Sequence, residues 1–172
     1  MIGAVAAGKT TLAREIAAQL NAQHIELDAL RYEAGWVLVP DETLRHKAAE
    51  WIGPDRWVID GNYAAVQDLL WVRAQVLVWL DFPLRVVLWR LLSRTFSRIF
   101  KGEVFSSGNR EQVTRLLGRQ SIVLWAVRSH GRRRRLYEEM IARPRYAHLQ
   151  VVRLRSPSEV KIWLSRGPFT GE

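Results

Sequence analysis

The chain has 172 residues, 26 Lys plus Arg against 17 Asp plus Glu, a formal charge of +9 and no Cys. Zero Cys excludes disulfides and thiolate metal sites, and a hydrophobic content of 48% with eight Trp excludes wholesale disorder. The length suits one compact domain with at most an inserted lobe.

Taken in chain order, strands alternate with helices. Only Met1 and Ile2 precede Gly3, whereas a strand usually takes about five residues. The first strand is therefore expected to be truncated, the natural chain to begin several residues earlier, and the sheet to carry a gap. Residues 10–20 read as a helix with Leu12, Ile16 and Leu20 on one face. A short strand from His24 ends at Asp28. Pro40-Asp41 opens a helix with Leu44, Ala48, Trp51 and Ile52 on one side and Asp41 as its cap. Residues 57–59 form a strand ending at Asp60-Gly61-Asn62. The apolar run 76–80, ending at Asp81, suits a strand buried on both faces. After Pro83 a helix runs to about Phe100, with Asp81 as its cap, and Arg90, Arg94 and Arg98 recur along it at every fourth position. A turn-rich loop at 101–108 leads to a second basic helix, or helix pair, over 110–142. A strand at 151–154 and a helix at 158–165 close the chain. This alternation implies a parallel sheet covered on both faces, a three-layer α/β/α fold.

Gly3-Ala4-Val5-Ala6-Ala7-Gly8-Lys9-Thr10 fits G-x-x-x-x-G-K-[ST] at every fixed position. Glycines at both ends let the loop wrap so that backbone N–H groups converge on phosphate oxygens, and the following helix adds the partial positive charge of its N-terminus. Lys9 would reach the β- and γ-phosphates of ATP, and the Thr10 hydroxyl would hold Mg²⁺. Ligands bind at the carboxyl ends of parallel strands, which marks Asp28 and Asp60 as site residues. His24, His46, His130 and His148 lack metal-ligand spacing and read as structural. Most Trp residues read as core; Trp36, beside Gly35, is the one placed to line a pocket.

Several segments together carry a more specific resemblance. They are the loop Gly3 to Thr11, His24-Ile25-Glu26-Leu27-Asp28-Ala29-Leu30, Trp57-Val58-Ile59-Asp60-Gly61-Asn62-Tyr63, Val78-Trp79-Leu80-Asp81-Phe82-Pro83, Gly108-Asn109-Arg110-Glu111 and the arginines before Tyr137. With these the chain resembles adenylate-kinase-like P-loop proteins, in particular the group labelled "DNA topology modulation protein". The resemblance implies that Asp60 orders the water shell of Mg²⁺. It implies that Arg90, Arg94 and Arg133, with Arg128 beside them, are lid ligands of the triphosphate. It implies that Arg31 grips the acceptor phosphate; Gly61, Asn62 and Tyr63, with Trp36, are expected to line the acceptor side. Asp28 matches an aspartate that contacts the acceptor hydroxyl in small-molecule kinases of this kind. Adenylate kinases carry Pro-Arg where Tyr63-Ala64 stand here, so one acceptor-phosphate arginine is missing and AMP is in question as the acceptor.

The charge is concentrated. Residues 84–135 hold thirteen basic residues and two acids, so this segment carries more than the whole net charge. Such a segment expects a polyanionic partner. The reading is a single domain over 1–172, with an acceptor lobe at about 29–56 and an arginine-rich lid at about 84–135. Its expected activity is ATP- and Mg²⁺-dependent phosphoryl transfer to a small nucleotide or hydroxy metabolite; the alternative is a P-loop ATPase or nucleotide-binding protein acting on nucleic acid. No leader or spanning segment is apparent, so a soluble, cytoplasmic protein without membrane partners is expected.

Overall fold

The computed structural model describes residues 1–33, 35, 37–53, 56–101 and 121–167, with the side chains of 98–101 set aside. Trp36 and the segment 102–120, with Gly108 to Glu111, lie outside the described residues.

The chain is mixed α/β. Its elements are β1 (Ile2–Gly3), α1 (Lys9–Leu20), β2 (Gln23–Glu26), α2 (Leu27–Arg31), α3 (Asp41–Trp51), β3 (Trp57–Asp60), α4 (Ala64–Arg73), β4 (Val76–Leu80), α5 (Leu84–Lys101), α6 (Ile122–Ile141), a 3₁₀ turn (Pro144–Tyr146), β5 (Gln150–Leu154) and α7 (Pro157–Ser165). All strand pairs are parallel, in the orders β1-β4-β5 and β2-β3.

Alternation along β4 explains the layering. Leu77 and Trp79 enter one buried cluster with Leu27, Leu44, Val66, Leu70 and Tyr137, from α2, α3, α4 and α6. Val78 and Leu80 enter another with Leu12, Ile16 and Val87, from α1 and α5, against which Val160 and Trp163 of α7 pack. Successive strand residues point to opposite faces, so an uninterrupted apolar run serves two cores at once.

β1 is short. β1 pairs with β4 only through Ile2 opposite Trp79 and Gly3 opposite Leu80, whereas β5 pairs with all five residues of β4. Toward β3, the Met1 ammonium donates to the Ile59 carbonyl, and Asn62 grips Gly3 through both its side-chain oxygen and its nitrogen. Below these bonds β3 and β4 separate around a cavity of about 560 Å³, lined by Met1, Ile16, Leu20, Val58, Trp71 and Leu77 among others. Burial there lowers the Met1 amine pKa to about 6.

Several expectations need correction. β2 ends at Glu26, and Asp28 lies in the first turn of α2 rather than at a strand end. Asp41 is the first residue of α3, not its cap; Pro40 holds that position without a side-chain bond. Asp81 does not cap α5 but is buried in ion pairs, as described below. α4 was not anticipated, although Val66 and Leu70 are buried one turn apart on it.

Candidate phosphate-binding and acceptor site

The loop between β1 and α1 is held in a shape that side chains resist. Gly3 has φ +148°, and a Cβ there would sit 2.7 Å from the Leu80 carbonyl oxygen, so only glycine lets the loop leave the sheet at this angle. Gly8 has φ +93° and forms the N-cap of α1, leaving the first N–H groups of that helix facing the loop. Ala6, at φ +56°, is in the left-handed region without being glycine. Such backbone strain clusters at ligand-binding sites.

Lys9 folds back over this loop. Its ammonium donates to the Gly3 carbonyl at 3.3 Å and the Ala4 carbonyl at 2.9 Å. Burial lowers its pKa; the Asp28 and Asp60 carboxylates act in the opposite direction, and Arg133 and Arg94 reinforce the lowering. Arg90 reaches the same loop, donating to the Ala7 carbonyl at 2.7 Å with its guanidinium 5.1 Å from the Phe82 ring centre. Arg133 lies over the Trp125 ring at 4.5 Å and, with Ala4, Val5 and Tyr137, lines a small cleft between the loop and α6. Of the four expected lid ligands, Arg90 and Arg133 therefore reach the loop, and Arg94 follows Arg90 by one turn of α5. Arg128 is exposed on α6 and makes no hydrogen bond or ion pair with a described residue. Thr11 is exposed on α1, beyond the loop itself.

At the loop's end the Thr10 hydroxyl donates to Asp60 Oδ2 at 2.5 Å. The other oxygen, Oδ1, lies 2.9 Å from His24 Nε2. Asp60 is buried, so a hydroxyl and an imidazole together satisfy a carboxylate that water scarcely reaches. His24, which reads as structural in the sequence, thus meets the candidate site residue Asp60. The signal for it lies in the β2–β3 register, which pairs His24 with Val58, two residues ahead of Asp60 on the same face.

The acceptor side is built differently. Tyr63 donates its hydroxyl to Asp28 Oδ1 at 2.6 Å. Burial, then the Asp28 carboxylate, push the Tyr63 pKa far above the usual tyrosine value, which keeps the hydroxyl a donor. Arg31 donates to the Val39 carbonyl at 2.8 Å and to Asp41 at 2.6 Å, and stacks 5.8 Å from the Tyr63 ring centre. Together with the bridge between Tyr32 and Leu38, these bonds tie the base of the loop 33–37. Gly61 has φ +133°, and a Cβ there would lie 2.7 Å from that of Leu27. A cavity of about 120 Å³ lies beside Tyr63, lined by Asn62, Gln67 and Arg133 on its polar side and by Leu27, Trp71 and Leu136 on its apolar side.

Asp81, at the end of β4, takes Arg153 at 2.7 Å and Arg134 at 3.2 Å, and Arg153 also reaches Glu138. This network, buried at Asp81 and partly solvated at its partners, ties α6 to the sheet, with Arg133 next to Arg134 in sequence and lining the cleft beside Ala4 and Val5. Among the described residues no group of three or more His, Cys, Asp or Glu is arranged to hold a metal, and no helix is long and apolar enough to cross a membrane. Neither a protein-family model nor a curated protein matches the chain.

Proposed function

We propose that the protein is an ATP- and Mg²⁺-dependent phosphotransferase, built as the three-layer α/β/α arrangement of adenylate-kinase-like P-loop kinases. In this reading Gly3 to Thr11 receive the triphosphate, the segment 84–135 supplies lid arginines, and the lobe 29–56 receives a small acceptor. The observation that carries the reading is the strained loop from Gly3 to Gly8, with the Lys9 ammonium resting on its Gly3 and Ala4 carbonyls and the Thr10 hydroxyl bonded to Asp60 at its end. A cation held only by carbonyl dipoles transfers readily to an incoming phosphate oxygen, because a charge-assisted bond replaces a weaker one.

The donor set fits Mg²⁺ of the kind held through one hydroxyl, one carboxylate and phosphates, rather than a cage of protein ligands. Thr10 and Asp60 would hold it, and it would neutralise charge on the β- and γ-phosphates. The chain's own residues orient and stabilise: the loop N–H groups bind phosphate oxygens, and Lys9, Arg90, Arg94 and Arg133 face the charge that develops on the transferring group. α5 and α6 close over the loop and exclude water.

The test is ATP-dependent transfer by the wild-type protein and by Lys9→Ala. Losing one preorganised donor is expected to lower the rate about 10²–10³-fold. Full activity in the variant contradicts the reading. A second reading, action on nucleic acid, is favoured by Arg128, Arg132 and Arg135, all exposed on α6. It predicts duplex DNA binding that weakens steeply with salt and is unchanged by Lys9→Ala.

A further inference from the structure

The cavity of about 560 Å³ between β3 and β4 has walls made of two strand edges. In a parallel ladder, alternate residues turn their backbone N–H and C=O to opposite neighbours. Gln150 donates to the Gln75 carbonyl and Asp81 to the Leu154 carbonyl, so residues 75, 77, 79 and 81 serve β5, and Val76 and Val78 face the cavity. Gln23 donates to the Arg56 carbonyl, so Val58 serves β2, and Trp57 and Ile59 face the cavity from the other side. β1 reaches only Trp79 and Leu80 of β4, and the Met1 amine takes the Ile59 carbonyl. The N–H groups of Val76, Val78 and Ile59, and the carbonyls of Val76 and Trp57, therefore have no ladder partner among the described residues. Backbone groups between buried strands are paired as a rule, so this gap is short of a partner.

The gap is one strand wide, because β1 itself bridges its upper end, from Trp79 on β4 to Ile59 on β3. Its remaining lining is apolar and basic. Ile16, Leu20 and Ala22 stand on one side and Leu70 and Trp71 on the other. Arg56 and Arg73 are exposed at its rim, and no described Asp or Glu lines it.

We propose that this cavity is a binding slot for the apolar carboxyl-terminal tail of another polypeptide, added as a strand parallel to β3 and β4 and in line with β1. Open edges on two opposite walls call for an occupant with a donor and an acceptor at every residue. A peptide has both, and a hydrocarbon chain has neither. Continuing the β1 register, the tail's last residue lies opposite Leu77, donates to the Val76 carbonyl and accepts from the Val78 N–H. The residue before it lies opposite Val76, donates to the Trp57 carbonyl and accepts from the Ile59 N–H. The residue before that accepts from the Val76 N–H. Side chains of such a strand alternate between the two cores, as those of β4 do, so all three are apolar. The terminal carboxylate meets the Met1 amine, and an acidic residue upstream of the three meets Arg56 and Arg73 at the rim. A tail seated there continues β1 directly beneath the phosphate loop.

The experiment titrates acetyl-Asp-Val-Ile-Val, with a free carboxylate, into the full chain, at a pH below the value of about 6 that burial gives the Met1 amine. One-to-one binding with Kd below about 1 mM is expected by calorimetry, and the melting temperature should rise with peptide concentration. Hydrogen exchange at the Val76, Val78 and Ile59 amides should slow in the complex. Methylating the last amide nitrogen of the peptide removes the donor to the Val76 carbonyl and should weaken binding about tenfold or more. Ala22→Phe, which fills the slot, should abolish binding; where that variant does not fold, the methylated peptide carries the same test. No binding to a chain that melts cooperatively, equal binding of the methylated peptide, or unchanged exchange at the three amides overturns the proposal. Decanoate binding more tightly than the peptide also overturns it, by making the cavity a hydrocarbon pocket.

Discussion

Lys9 and Arg90 end on backbone carbonyls, whereas Arg31 and Arg45 each divide their bonds between a backbone carbonyl and a carboxylate. The difference separates two uses of a cation. On a carbonyl it keeps its full charge and gives up little when an anion arrives. On a carboxylate its charge is already answered, and recruiting it leaves an acid unpaired. On the proposed function, the loop from Gly3 to Thr10 is better prepared for a polyanion than the lobe at 29–56.

The comparison breaks most sharply at Lys9. Lys9→Met should lose ATP binding, while the ligand-free protein keeps or gains thermal stability because an incompletely paired buried charge is removed. The pH dependence has a definite sign. Since the folded-state pKa of Lys9 lies below its ordinary 10.5, the unfolded chain binds more protons just below that value. Wild-type stability relative to Lys9→Met should therefore rise as pH increases through the folded-state pKa toward 10.5. Thermal melts of both proteins at several pH values check this.

A smaller effect is expected at Asp60. Asp60→Asn weakens the partner of Thr10 and should raise the Mg²⁺ concentration needed for half-maximal activity by about 10–100-fold, read from a metal titration of ATP turnover. Asp81→Asn tests how α6 is held. Breaking a largely buried pair costs up to about 3–5 kcal/mol, and Arg134 and Arg153 are partly solvated, so about 2 kcal/mol is expected. Denaturant unfolding measures it. The smallest effect would invert the comparison: Asp41→Asn frees Arg31 and should tighten AMP binding in the calorimeter relative to the wild-type protein.

The two sides also differ in how far the sequence reveals them. The phosphate loop is one contiguous motif, so its glycines, Lys9 and Thr10 are readable directly, and the four-residue spacing of Arg90 and Arg94 places both on one face of a helix. The acceptor side depends on contacts between distant segments. Tyr63 meets Asp28 across 35 residues, and His24 meets Asp60 across 36. Both contacts follow from strand register and helix packing, which no local pattern encodes. Asp81 illustrates the same limit. Before Phe-Pro it looks like a helix cap, and its partner Arg153 lies 72 residues away. Arg31 is readable as an arginine beside the acceptor, but its neutralisation by Asp41 requires the chain to turn back over the loop between them. α4 escaped notice because it is apolar around much of its surface and lacks a side-chain cap.

The most direct test of the central claim is calorimetric titration of Mg²⁺-ATP into the wild-type chain and into Lys9→Met, with folding of both verified by thermal melts. The account predicts saturable one-to-one binding to the wild-type protein and its loss in a variant that remains folded. Equal binding by both proteins, or none by a folded wild-type chain, would contradict it.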